Sequence, residues 1–179
     1  MEEKLLIKRA KKGDKEALIT LIMNQKSEYY KLAYVYMKNQ EDALDAMQDM
    51  IVIVYEKVHT LKKDEAFYSW SKTILVNTCK KLLKMNKKTI SIETIKEQEE
   101  VSYQLDNSLE DKMVLENYLA HLKPIHSEVI RLKFILDLDY DSIASLLKIP
   151  LGTVKSRINT AMKTLRETME GENRYEKYR

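Results

Sequence analysis

The sequence predicts an all-α protein, two helical domains joined by a flexible acidic linker, and three observations predict it. The 179 residues include only 3 Gly and 2 Pro, too few for a turn-rich β protein. Apolar residues recur at three- and four-residue spacing along most of the chain, the period of a helix with one buried face. Charge falls in blocks: 18 Lys/Arg against 12 Asp/Glu in residues 1–90, 2 against 8 in 91–120, and 11 against 8 in 121–179. The net charge of +3 therefore conceals two basic segments around an acidic middle. With 44% hydrophobic and 33% charged residues, the chain can bury a core and stay soluble.

Residues 2–12 read as a first helix, with Leu5, Leu6, Arg9 and Ala10 on neighbouring turns. Gly13-Asp14 breaks it, and Asp14 suits the cap of the next helix. Residues 15–38 read as one long helix with Leu18, Leu21, Ile22, Tyr29, Leu32, Ala33 and Tyr36 on its apolar face. A turn at Asn39-Gln40 leads to a helix over 41–58, with Ala43, Leu44, Met47, Ile51, Val54 and Tyr55 inward. His59 to Glu65 is a polar loop, and 66–86 a further helix with Trp70, Ile74, Leu75 and Leu82 as core candidates. These pieces predict a helical bundle over residues 1–88.

Residues 89–109 lose the period and read as an acidic linker holding at most one helical turn. A second domain follows over 110–170, with helices near 110–121 and 124–136, then a frayed polar tail over 171–179. Within it, Asp139 to Leu147 forms a short helix capped by Asp139 or Asp141, with Ile143, Ala144 and Leu147 inward. Lys148-Ile149-Pro150 makes a tight turn, and Pro150 suits the first position of the next helix. There Val154, Ile158, Ala161 and Leu165 face a core, while Thr153, Lys155, Ser156, Arg157, Asn159 and Thr160 face outward. Two short helices with a tight turn make a helix-turn-helix, and those outward residues suit base edges and phosphates in a major groove.

Several classes of function lack support. Nothing approaches the run of about 18 apolar residues that spans a bilayer, and Met1-Glu2-Glu3-Lys4 does not begin a secretory signal. Cys79, alone, forms no internal disulfide and reads as a small packing residue, which fits a reducing, cytoplasmic setting. His59, His121 and His126 are not spaced for a metal, and no glycine-rich phosphate loop or nucleophile triad stands out. Neither metal, cofactor nor enzymatic activity is expected.

The order of the pieces resembles the extracytoplasmic-function (ECF) subfamily of the sigma-70 family, the promoter-specificity subunits of bacterial RNA polymerase. Three stretches bear the resemblance. Gln40-Glu41-Asp42-Ala43-Leu44-Asp45-Ala46-Met47-Gln48-Asp49 is similar to the family's polymerase-binding helix. Ala66-Phe67-Tyr68-Ser69-Trp70-Ser71-Lys72-Thr73-Ile74-Leu75-Val76-Asn77 is similar to the segment that melts and reads the −10 promoter element. Gly152-Thr153-Val154-Lys155-Ser156-Arg157 is similar to the region-four signature that reads the −35 element.

The resemblance implies a division of labour. Glu41, Asp42, Asp45, Gln48 and Asp49 make an acidic stripe for the clamp helices of the polymerase largest subunit. Lys63, Phe67, Tyr68, Trp70, Asn77, Lys80, Lys81 and Lys84 place rings beside cations, as single-stranded DNA binding needs. The base pocket lies in the loop around His59 to Phe67, with Trp70 packed beneath it and Asn77 at the junction. Thr153, Lys155, Ser156, Arg157, Asn159 and Thr160 read the −35 duplex. The linker follows the polymerase RNA-exit path, and the flap is a further contact. An anti-sigma factor of the membrane-anchored kind is an expected partner. Asn159 and Thr160 stand where many members have an aromatic residue and an arginine, and Ser71 stands where leucine is usual. The residues alone also fit a dimeric helix-turn-helix repressor or activator acting without polymerase, or a helical adaptor that binds only protein.

Overall fold

The computed structural model describes residues 2–89 and 109–176, with side-chain environments for 2–85 and 115–170. The expected linker at 89–109, save its end residues, lies outside the described residues, as do 177–179 of the tail. Every regular element among the described residues is helical, and the contacts divide into two units, Met1–Val101 and Ser102–Arg179.

The first unit opens with α1 (Glu2–Lys11), acidic in its first turn and basic in its last, in accord with the helix dipole. Ile7 and Ala10 are its buried positions, whereas Leu5 is exposed. Gly13 ends the helix at φ 91°, a conformation that side-chain-bearing residues rarely adopt. The Asp14 carboxylate then accepts from the Ala17 N–H at 3.0 Å and caps α2 (Lys15–Asn24).

The single helix expected over 15–38 is two. Gln25, at φ −124°, separates α2 from α3 (Lys26–Met37). Its N–H bonds to the Ile22 carbonyl at 3.1 Å, and its own carbonyl accepts from Tyr29 at 3.1 Å. No glycine or proline marks the break, so the helical period runs through it unaltered. The cost is visible in the buried Gln25 Oε1, which has no hydrogen-bond partner. Lys38 closes α3 in the left-handed conformation, φ 64°.

Asn39 caps α4 (Gln40–Lys57), and the cap is reciprocal. Its Oδ1 accepts from the Asp42 N–H at 2.8 Å, while its amide donates to the Asp42 carboxylate at 2.7 Å. Turns of 3-10 helix at Val58–Thr60 and Asp64–Ala66 bracket the loop that leads to α5 (Phe67–Thr89). Helices α3, α4 and α5 pack on one another, and α1 packs on α2 and on both loop turns. The core between them includes Leu21, Tyr29, Met50, Phe67 and Leu75.

The second unit comprises α6 (Leu109–Ala120), α7 (Pro124–Ile130), α8 (Tyr140–Leu147) and α9 (Leu151–Glu176). Pro124 occupies the first turn of α7, where its missing N–H costs nothing. Beyond Ile130 the chain winds more widely through a π-helical segment, Arg131–Ile135, and the Leu136 N–H reaches back five residues to the Arg131 carbonyl. Asp139, not Asp141, caps α8, accepting from the Ser142 N–H at 2.7 Å. Ile143 and Leu146 are the buried residues of α8, so Leu146 holds the place expected for Leu147. Lys148 makes the turn at φ 55°. The Pro150 carbonyl accepts from Thr153 and Val154, which makes Pro150 the cap and Leu151 the first residue of α9. That helix continues through Gly171 to Glu176, past the boundary drawn at 170. A single glycine costs a helix only about 1 kcal/mol.

Candidate polymerase and nucleic-acid interfaces

Three exposed faces hold the residues singled out by sequence. On α4, Ala43, Ala46, Met47, Met50 and Val54 are buried, which turns Glu41, Asp45, Gln48 and Asp49 to solvent on the opposite side. Asp42 departs from the expected stripe: it is half-buried and engaged with Asn39, so its first task is the helix start. Farther along the exposed side, Val52 is 57% exposed and Tyr55 39% exposed. Tyr55 was expected inside. Its ring instead receives the Lys15 ammonium at 5.4 Å, a cation–π contact from α2. The same row of α2 exposes Ile19 and Met23. The face of α4 is thus acidic in its first turns and, farther on, sets the apolar Val52 and Tyr55 beside the exposed Glu56, a mixture suited to a protein partner. Val52 stands in neither the inward set nor the acidic stripe read from the sequence, because polarity marks only the charged residues of an exposed face.

The second face belongs to the loop and α5. Val58, Leu61 and Phe67 are buried and fasten the loop from beneath, while His59, Thr60, Lys62 and Lys63 are exposed. Phe67 was expected among the DNA-contacting rings. It is fully buried and cannot stack on a base; it supports two rings that are only half-buried, Tyr68 at 5.3 Å edge-on and Trp70 at 6.3 Å. Burial pushes the Tyr68 phenol above its ordinary pKa, with the nearby Glu3 charge adding to the effect.

Along α5, Asn77, Lys80, Lys81 and Lys84 are exposed at i, i+3, i+4 and i+7 and form one basic row about 10 Å long. The inner side of the helix is partly polar yet satisfied. Thr73 and Thr78 donate to the carbonyls of Ser69 and Ile74 at 2.9 and 3.0 Å, and Ser71 donates to the Phe67 carbonyl at 2.8 Å. Cys79 is buried there and its thiol is pushed up to about 12 by burial, so it is inert packing.

The third face is the front of α9. Val154, Ile158 and Ala161 are buried at i, i+4 and i+7, leaving Lys155, Ser156, Asn159 and Thr160 exposed and Thr153 and Arg157 half-buried. The hydroxyls of Ser156 and Thr160 lie within 3.0 and 2.9 Å of the carbonyls of Thr153 and Ser156. Both therefore donate inward and offer acceptors outward, while Lys155 and Arg157 offer donors. Beside them a shallow cleft of about 390 Å³ is lined by Lys133, Asp139, Tyr140, Asp141, Leu151 and Lys155. Lys133 stands 5.8 Å from the Tyr140 ring centre.

Among the described residues no group of His, Cys, Asp and Glu is placed to hold a metal ion. No described helix is long and apolar enough to cross a membrane.

Residues 21–89 match the family described as sigma-70 region 2, and residues 112–165 match sigma-70, region 4. The chain is 33% identical to the RNA polymerase sigma factor SigV of Bacillus subtilis strain 168, over 87% of this chain and 93% of that one. It is 25% identical to the ECF RNA polymerase sigma-E factor of Haemophilus influenzae, over 95% and 96%. In fold it resembles the sigma factor RpoE of Bartonella quintana, solved in complex with the anti-sigma factor NepR, with a TM-score of 0.66 and 20% identity over 83% of this chain and 94% of that one. The chain belongs to the ECF subfamily of sigma-70 RNA polymerase sigma factors, which bind core polymerase and direct promoter-specific initiation.

Proposed function

We propose that the three faces divide the work of initiation. Glu41, Asp45, Gln48 and Asp49, with Val52 and Tyr55, dock on the clamp helices of the polymerase largest subunit. Lys63, Tyr68, Trp70, Asn77, Lys80, Lys81 and Lys84 capture the opened strand at the −10 element. Thr153, Lys155, Ser156, Arg157, Asn159 and Thr160 read the −35 duplex, and the second unit also meets the polymerase flap.

One observation supports this reading above the others: a single chain exposes an acidic face on α4, a basic row on α5 and a donor-and-acceptor row on α9. Charge complementarity sends the first to a protein and the other two to nucleic acid. Domain limits at 1–88 and from 110 through the described end of α9 at Glu176 follow the same division. The protein itself performs no chemical step; it reads sequence and holds strands while polymerase catalyses. It works in the cytoplasm, where polymerase is, and an anti-sigma factor, anchored at the membrane, covers these faces in the resting state.

Run-off transcription with purified core polymerase on genomic fragments tests this. Transcripts from a restricted promoter set, dependent on this protein, are expected. Salt-sensitive duplex binding without any dependent transcript would overturn it.

A further inference from the structure

We propose that α1 braces the strand-reading loop, with Lys11 as a positioning residue that acts through Asp64. The role rests on the assignment of that loop to the −10 element.

The loop between α4 and α5 has two kinds of support. From below, Val58, Leu61 and Phe67 anchor it by burial. From the side, α1 packs against both of its 3-10 turns. The Lys11 ammonium donates to Asp64 Oδ1 at 2.9 Å, across 53 residues of sequence, and the two side chains are only 26% and 19% exposed. Lys4 reaches the neighbouring Glu65 at 3.0 Å, but both of those side chains are about two-thirds exposed, so this second pair holds little. The shielded pair is the one able to fix geometry.

The charges give the contact a purpose beyond packing. Asp64 and Glu65 are adjacent carboxylates at the base of a loop that must come close to phosphates. Unpaired, they would repel the strand. Lys11 neutralises the shielded Asp64 and Lys4 screens the exposed Glu65, so the exposed lysines of the loop, Lys62 and Lys63, set its net sign. Glu65 is also held by its own backbone N–H, which together with Lys4 keeps its carboxyl below the usual range. The buried face of α1, Ile7 and Ala10, fixes the helix from which both lysines project. A loop held in one conformation discriminates bases; a loop free to shift pays an ordering cost for any base and discriminates less.

The test uses the full chain with core polymerase on a promoter selected by the wild-type protein. Template pools are randomised either at the −10 or at the −35 element. Lys11→Met is expected to reduce the −10 preference about tenfold, the scale of one charge-assisted hydrogen bond, and to leave the −35 preference unchanged. Lys11→Arg, which restores the cation, should recover the −10 preference. An unchanged −10 preference in a folded Lys11→Met variant overturns the role. So does an equal fall in both preferences, which would mark a general loss of stability, or a failure of Lys11→Arg to recover. If the wild-type protein selects promoters with no −10 preference at all, the assignment of the loop fails first, and that result is distinct from a variant-specific one.

Discussion

The phenol oxygen of Tyr29 lies 2.7 Å from the hydroxyl oxygen of Ser71, with both residues fully buried. Ser71 donates onward to the Phe67 carbonyl at 2.8 Å, so its oxygen accepts from Tyr29. This bond joins α3 to α5 and gives the buried Ser71 hydroxyl its role: a leucine there would leave the phenol without a partner. Ser71→Ala is expected to destabilise the first unit by about 1–3 kcal/mol, and Tyr29→Phe by about 1 kcal/mol. The double variant should cost less than the sum, as chemical denaturation of the four proteins would read out. Strict additivity would mean that the bond contributes nothing.

Alkaline pH should weaken the same unit. Burial raises Tyr29 from about 10 to about 12, and Cys79 from about 9 to about 12. Both groups are held neutral in the folded state, so the folded protein binds more protons than the unfolded one at high pH. Their contribution is complete below about pH 9 and is lost as pH rises from there toward 12. Tyr29→Phe with Cys79→Ala should flatten that decline in a series of denaturation curves, whatever it does to stability at pH 7.

In the second unit, Arg131 donates to Glu116 through both terminal guanidinium nitrogens, at 2.5 and 2.6 Å, and ties the end of α7 to α6. The arginine side chain is 10% exposed and the glutamate 44%. Losing the glutamate strands a buried cation, whereas losing the arginine leaves a carboxylate that water can reach. Glu116→Ala should therefore cost about 2–4 kcal/mol and Arg131→Met less, measured by thermal or denaturant unfolding. The reverse order would show that the aliphatic stem of Arg131 matters more than its charge.

Lys148 makes the helix-turn-helix turn at φ 55°, ψ 45°, which a side chain disfavours. Lys148→Gly should stabilise the second unit by about 0.5–1 kcal/mol, seen as a higher melting temperature. A loss would imply that the lysine side chain holds a contact stronger than the backbone strain.

The faces should fail separately. Lys155→Ala with Arg157→Ala is expected to weaken promoter selection at the −35 element and leave core binding intact. Asp45→Ala with Asp49→Ala should weaken core binding and leave duplex binding intact. Fluorescence anisotropy with labelled duplex and with core polymerase separates the two. Loss of the same function in both variants would end the division of labour.

What the sequence determined by itself is local. The periods of α1, α4, α5 and α9, the Asp14 and Asn39 starts and the turn before Leu151 follow from residue types within one or two helical turns. The exposed stripe Glu41, Asp45, Gln48 and Asp49 and the row Asn77, Lys80, Lys81 and Lys84 were legible for the same reason: polarity and spacing fix which side of a helix faces water. The tertiary structure decided what depends on which faces meet. It broke the helix at Gln25, buried Phe67 beneath the loop, and brought Tyr55 out under Lys15. It also paired Tyr29 with Ser71 and Lys11 with Asp64, across 42 and 53 residues. A period states that a side chain has an inside and an outside. Only the packing of one helix on another states whose inside it shares, because burial and hydrogen bonding over such separations depend on the whole arrangement of the chain.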